Sequence, residues 1–145
     1  MLAHIWVARH AGDDARALRV ALELAACSGA RVTVCHLLPG GDDAPVGARD
    51  ALARELVGEG AASRCHAETR AHARRCAPDL AVTSCIAHVG AVADMLDLVR
   101  AARPDLAVVT PPRRRGARWL RRLLIPDETD VLVDAAPCPV LVIRP

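Results

Sequence analysis

Short apolar runs alternate along this chain with longer stretches whose apolar residues recur at helical spacing. Five runs have the composition of buried strands, and four helical regions separate them. Strands are predicted over residues 2–8, 31–38, 80–87, 105–109 and 139–143, and helices over 15–28, 45–76, 90–102 and 126–135. Strands that are apolar along most of their length and alternate with helices form a parallel sheet covered on both faces. Right-handed crossovers then predict one α/β domain over residues 1–145, a doubly wound three-layer α/β/α sandwich.

The helical regions carry signals for their buried faces and their ends. In the first helix the predicted inward face consists of Ala17, Leu18, Ala21, Leu22 and Ala25; in the third it consists of Val92, Met95, Leu96 and Val99. Asp13 and Asp14 precede the first helix, where carboxylates favour a helix N-terminus, and Gly29 is predicted to close it. Region 45–76 contains Gly58 and Gly60, which leaves open one bent helix or two.

The composition excludes several classes of function. All 19 cationic residues are Arg, so Schiff-base chemistry, a P-loop lysine and a phospho-acceptor receiver site are excluded. Trp6 and Trp119 are the only aromatic side chains apart from His. Nucleic-acid binding by base stacking is therefore disfavoured, because it needs several aromatic side chains. No nucleophile elbow, dinucleotide fingerprint or Ser-His-Asp spacing appears, and we expect a protein that is not an enzyme.

The chain also lacks the signals of a membrane or exported protein. No apolar stretch approaches the roughly 18 residues of a membrane span, and no cationic region precedes an apolar one at the N-terminus. We therefore expect a cytoplasmic protein. Its six cysteines, without a CxxC pair, are predicted to be reduced and mostly buried.

Three parts of the sequence together resemble one known protein family. The residues Ala136-Pro137-Cys138-Pro139-Val140-Leu141-Val142-Ile143 resemble the closing strand of the universal stress protein family. Residues 5–8 followed by 17–25 resemble its first strand and helix, and residues 88–90 through 104–109 its third helix and fourth strand. The resemblance implies a Rossmann-like five-stranded parallel sheet of order 3-2-1-4-5 and a regulatory or stress-response function. It also implies a homodimer paired through the last strand, Pro139 to Ile143, and a further protein partner.

The family resemblance also locates a nucleotide crevice, which is degenerate here. Members that bind ATP carry the motif G-x2-G-x9-G-(S/T) after the fourth strand; Gly116 falls on the second glycine and Arg113 replaces the first. His10 stands where the family has an Asp at the end of the first strand. The candidate crevice residues are His10, Val34, Arg113, Arg114, Arg115, Gly116 and Asp127.

The start of the last helix disfavours ATP. A helix N-terminus binds phosphate through free backbone N–H groups and a partial positive charge. Pro126 has no N–H to offer, and Asp127, Glu128 and Asp130 place carboxylates where phosphates would lie. We therefore expect no ATP binding through the family's glycine motif.

Six of the ten residues in the segment 113–122 are Arg. These guanidinium groups could hold phosphate and make the protein a nucleotide-binding switch, with Gly116 allowing close backbone approach. The favoured interpretation is a solvated connection whose charges pair with nearby acids such as Asp127. Trp119 and its apolar neighbours are predicted to anchor this segment to the sheet or to a partner subunit.

Cysteine and histidine residues offer a weaker alternative, a metal-binding protein or an enzyme. Cys65, His72 and Cys76 lie on one face of a helix, but their spacing is not a common zinc pattern, and core packing is the favoured interpretation. No metal site is predicted. His10 and His36 lie near the carboxyl ends of the first two strands, where open α/β sheets bind ligands.

Overall fold

The computed structural model describes residues 1–10, 15–39, 48–89, 92–111 and 128–144. Its strands are β1 (His4–His10), β2 (Arg31–Pro39), β3 (Val82–Val89), β4 (Leu106–Val109) and β5 (Val140–Val142). Its helices are α1 (Arg16–Ser28), α2 (Ala48–Cys76), α3 (Val92–Ala102) and α4 (Glu128–Ala135). No helix in the described ranges is long and apolar enough to cross a membrane.

The five strands form one parallel sheet of order β3-β2-β1-β4-β5, as predicted. The central strand β1 lies between β2 and β4 and is buried over most of its length. Backbone N–H groups of Ala3 and His4 donate to Asp105 Oδ2 at 2.8 and 3.0 Å, joining the chain before β4 to the start of β1. These two hydrogen bonds lower the pKa of the Asp105 carboxyl.

A first core fills the space between the sheet and α1, and we call it the α1-side core. All five residues predicted for the inner face of α1 are buried against Ile5, Val7, Val32, Val34 and Val108. The helix ends at Gly29, which adopts the left-handed conformation at φ 74° and donates its N–H to Ala25 O. The sequence predicted both the face and the end of this helix correctly.

A second core lies on the opposite face of the sheet, under α3 and α4, and we call it the α3-side core. Met95, Leu96 and Val99 are buried there as predicted, together with Leu132 from α4. Their partners on the sheet include Trp6, which is 2% exposed. Helices on both faces confirm the three-layer sandwich.

The elements differ from the predicted bounds mainly where polar residues continue a strand. β1 was predicted over residues 2–8 but spans His4–His10, because Arg9 and His10 still pair with β2. Glu68 of α2 provides a partner for the buried Arg9. β3 is likewise displaced, since the chain needs a turn after α2 before it pairs with β2 at Val82. The sequence left open whether region 45–76 forms one bent helix or two, and the structure has one helix there, Ala48–Cys76.

The prediction that the cysteines are mostly buried is wrong. All six are free thiols, but only Cys35 is fully buried; Cys65 and Cys138 are half-buried, and the others are exposed. Cys27 and Cys76 lie on exposed faces near the ends of α1 and α2. Composition alone does not distinguish such positions from core positions. Asp13, Asp14 and Trp119 lie outside the described residues.

Candidate functional site

The sheet order reverses direction between β1 and β4, and in open α/β sheets ligands bind at the carboxyl ends of strands beside such a reversal. β1 ends there at His10, whose side chain is half-buried. Thr110 directly follows β4, and its hydroxyl oxygen is buried without a hydrogen-bond partner in the described part of the chain. A buried hydroxyl normally has a partner, so this atom is suited to bond a ligand or a water molecule.

Two of the predicted crevice residues, His10 and Val34, lie in the part of the chain that the structure describes. His10 lies at the carboxyl edge, where it was expected. Val34 lies in the middle of β2 and is 0% exposed in the α1-side core, so it packs against apolar side chains and presents no surface to a ligand. The other candidates, Arg113, Arg114, Arg115, Gly116 and Asp127, lie outside the described residues.

A polar cluster lies between the sheet and α2, on the same face as α1. Arg9 is 5% exposed, and its Nη2 donates to Glu68 Oε1 at 3.3 Å. His72, one turn further along α2, has Nε2 at 3.9 Å from the same carboxylate oxygen. Burial, followed by the charge of Arg75, lowers the pKa of His72, although Glu68 opposes that shift.

His36 is the most buried titratable group of this cluster at 4% exposure. Its Nε2 is hydrogen-bonded to Thr69 Oγ1 at 3.0 Å. The rings of His36 and His66 pack edge to face, with their centroids 6.3 Å apart. Burial lowers the pKa of His36 to about 4, assisted by the positive charge of Arg9 and by His66 and opposed by Glu68. The imidazole is therefore neutral near pH 7 and serves as a hydrogen-bonding group.

A cavity of about 350 Å³ opens beside this cluster, between the second half of α2 and β3. Its polar lining includes Ser84, whose Oγ is hydrogen-bonded to His66 Nδ1 at 2.6 Å, and the exposed guanidinium groups of Arg70 and Arg74. The apolar part of the lining consists of Ala73, Ala77, Pro78, Leu80 and Val82. The cavity can offer hydrogen-bond donors to an anion, but it lies along the face of the sheet and does not include His10 or Thr110.

The Cys65, His72 and Cys76 stripe is not part of the core in the described structure. Cys76 is exposed and Cys65 only half-buried, so the packing interpretation is wrong. No three metal-ligating side chains among the described residues converge on one point. His72 instead contacts Glu68 and, through Nδ1, Arg75 Nη2 at 3.3 Å, which are contacts of a helix surface.

The sequence reasoning missed Arg9, Glu68, Thr69 and Ser84 as members of a polar cluster. One signal was available: Arg9 directly follows an apolar strand, and a charged residue that continues a buried strand requires a partner. The position of that partner on α2 depends on how the helix lies across the sheet, and spacing along the chain does not give it.

Comparison with known proteins agrees with this architecture. The sequence model of the Universal stress protein family matches residues 1–144. The fold is similar to that of universal stress protein UspA from Lactobacillus plantarum, at 20% sequence identity and a TM-score of 0.75, over 99% of this chain and 98% of that one. No curated protein matches the sequence.

Two similar structures were solved with nucleotides. The universal stress protein from Archaeoglobus fulgidus in complex with dAMP is 18% identical, with a TM-score of 0.57 over 99% of this chain and 98% of that one. A family protein from Arabidopsis thaliana with AMP bound is 16% identical, with a TM-score of 0.62 over 98% and 91%. The family match spans nearly the whole chain, and the protein therefore belongs to the universal stress protein family.

Proposed function

We propose that this protein is a cytoplasmic stress-response module that acts as a homodimer through contacts with other proteins, without catalysis of its own and without ATP bound by the family's glycine motif. Family membership supports the stress-response part of this proposal. The edge strand β5 is the observation that carries the dimer.

β5 is the last strand of the sheet and has β4 as its neighbour. Ile143 N–H donates to Val109 O at 2.8 Å, and Pro139 O accepts from Ala107 N–H at 3.0 Å. Because alternate residues of a strand direct their backbone groups to opposite sides, the N–H and C=O of Val142 point away from β4. An edge with apolar, half-buried side chains and outward backbone groups is a template for pairing with a second strand.

The dimer is tested by replacing one outward backbone donor. Val142→Pro removes an N–H that does not bond β4, and proline is tolerated on such an edge. We expect the wild type to sediment as a dimer and Val142→Pro as a folded monomer, with Val142→Ala remaining dimeric because it keeps the N–H. A wild type that stays monomeric at high micromolar concentration would contradict the proposal.

The case against ATP rests on the sequence around the crevice. Arg113 and Pro126 replace residues that would approach or cap a phosphate, and His10 replaces an acid at the end of β1. Outside the crevice, the described cluster around Arg9 is already engaged with Glu68. We therefore expect the protein to be purified free of ATP.

One observation favours a second candidate, a site for a nucleoside monophosphate. The buried hydroxyl of Thr110 lies at the carboxyl end of β4 beside the sheet reversal, and two similar proteins were solved with AMP and dAMP. In this alternative, Thr110 would bond the nucleotide and Arg113, Arg114 and Arg115 would contact its phosphate.

Calorimetry distinguishes the two candidates. We expect no micromolar binding of ATP or AMP to the wild type. Micromolar binding of ATP would overturn the leading proposal. Binding of AMP alone, weakened at least tenfold by Thr110→Val but not by the remote exposed change Thr83→Val, would establish the second candidate, since one lost hydrogen bond to a ligand is worth about 1.5 kcal/mol.

A further inference from the structure

Two cysteines face each other across neighbouring strands. Cys35 of β2 and Cys85 of β3 are register partners, so their Cα atoms lie directly opposite one another. Adjacent strands are about 4.8 Å apart, which is inside the range of about 4.4–6.8 Å that a disulfide requires between Cα atoms. Side chains of paired residues in parallel strands project from the same face, and both thiols therefore lie on the side of the sheet that faces α3.

The two thiols occupy different surroundings. Cys35 is 0% exposed and packs in the α3-side core with Trp6 and Leu37. Cys85 lies on the edge strand and is exposed to solvent. A water-borne reagent can therefore reach the sulfur of Cys85 and not that of Cys35.

The two thiols are close enough to influence each other, and this contact separates their acidities. The neighbouring Cys35 thiol lowers the pKa of Cys85 to about 7, against the opposing effect of partial burial. The same contact, together with burial, raises the pKa of Cys35. Ionisation falls on Cys85 because water solvates its sulfur, and a thiolate is the form that reacts with oxidants.

We propose that Cys35 and Cys85 form a peroxide-sensitive dithiol, in which Cys85 is oxidised first and Cys35 resolves it as an intramolecular disulfide. The Cys85 thiolate attacks hydrogen peroxide, the O–O bond breaks, and hydroxide leaves as Cys85 becomes a sulfenic acid. The Cys35 sulfur then attacks the Cys85 sulfur, the S–O bond breaks, and the Cys35 proton leaves with the hydroxyl as water. Two thiols lose two electrons in total, and peroxide is reduced to two molecules of water.

The first test is the mass and thiol count of the wild type after treatment with a small excess of hydrogen peroxide. We expect the intact chain to lose the mass of two hydrogen atoms and its reactive thiols under denaturing conditions to fall from six to four. A thiol reductant should restore both values. Trypsin cuts only after Arg in this chain, and the linked peptides should be residues 32–49 and 76–100.

Single variants identify the sulfur atoms. Peptide 76–100 also contains Cys76, so Cys76→Ser is the matched control and should form the disulfide as the wild type does. Cys85→Ser should abolish the link. Cys35→Ser should also abolish it but leave a sulfenic acid on Cys85 that dimedone traps. Serine is nearly the size of cysteine, and circular dichroism verifies that each variant is folded.

Three results would overturn the proposal. One is a disulfide that persists in Cys85→Ser, and another is a link between two chains in place of a link within one. The third is peroxide treatment that takes Cys85 to sulfinic acid without any loss of Cys35 thiol. None of these outcomes depends on nucleotide binding or dimer formation, so the dithiol and the proposed function can fail independently.

Discussion

Leu132→Ala is expected to lower the free energy of unfolding by about 2 to 5 kcal/mol, the range for deleting a large aliphatic side chain from a packed core. Leu132 is 0% exposed and joins α4 to the α3-side core around Trp6 and Val99. The substitution removes apolar contacts and leaves a cavity, and the short helix α4 has few other buried side chains with which to close it. Urea unfolding should show a lower midpoint with an unchanged m-value.

The adjacent residue provides a matched control. Val133 is 49% exposed, and its replacement by alanine should change stability by no more than about 0.5 kcal/mol, as surface substitutions usually do. Leucine and valine differ in helix propensity by less than about 0.7 kcal/mol, which is too small to account for the expected difference between the two variants. Similar decreases in the free energy of unfolding of the two variants would mean that α4 does not pack on the sheet through Leu132.

The sheet could be predicted from the sequence because its signals are local. Apolar runs about five to eight residues long, separated by stretches with helical period, determine the number and order of elements before any contact is known. Right-handed crossovers then leave few topologies open, and the family resemblance selects the order found here. The inner faces of α1 and α3 follow from the same periodicity.

The polar cluster could not be predicted because it depends on register and helix placement. Arg9 requires a carboxylate, but only the path of α2 across the sheet shows that Glu68 supplies it. Cys35 and Cys85 are 50 positions apart in sequence and meet through the pairing of β2 with β3. Val34 was predicted to line the crevice but is a mid-strand residue, and its side chain packs in the core. A crevice in such a sheet is built from residues at or after the strand ends.

Acidification from pH 7 to pH 4 is expected to destabilise the protein through His36. Its pKa in the folded state, about 4, lies below the ordinary value of 6.5. Between these values the unfolded chain binds a proton that the folded chain rejects, so the stabilisation is complete above pH 6.5 and is lost as the pH falls towards 4. This loss of unfolding free energy is about 3 kcal/mol, and it is steepest at about pH 5.

His36→Gln tests the origin of this loss, because glutamine retains hydrogen-bonding capacity towards Thr69 but does not titrate. Denaturant titrations from pH 7.5 to 4 should show a smaller decline for this variant than for the wild type. A residual decline is expected, since burial also lowers the pKa values of His4 and His72. The contribution of Asp105 is separate, because its lowered pKa affects stability only as the pH falls through the ordinary range of a carboxyl group and below.

Thr69→Val separates the hydrogen bond from the titration. Valine keeps the shape of Thr69 but leaves the His36 imidazole without its hydroxyl partner, which should cost about 1 to 3 kcal/mol near pH 7. The imidazole remains buried beside Arg9, so burial and that charge still disfavour its protonation, and the decline towards pH 4 should persist. Equal declines in the wild type and in His36→Gln would mean that His36 does not cause the acid sensitivity.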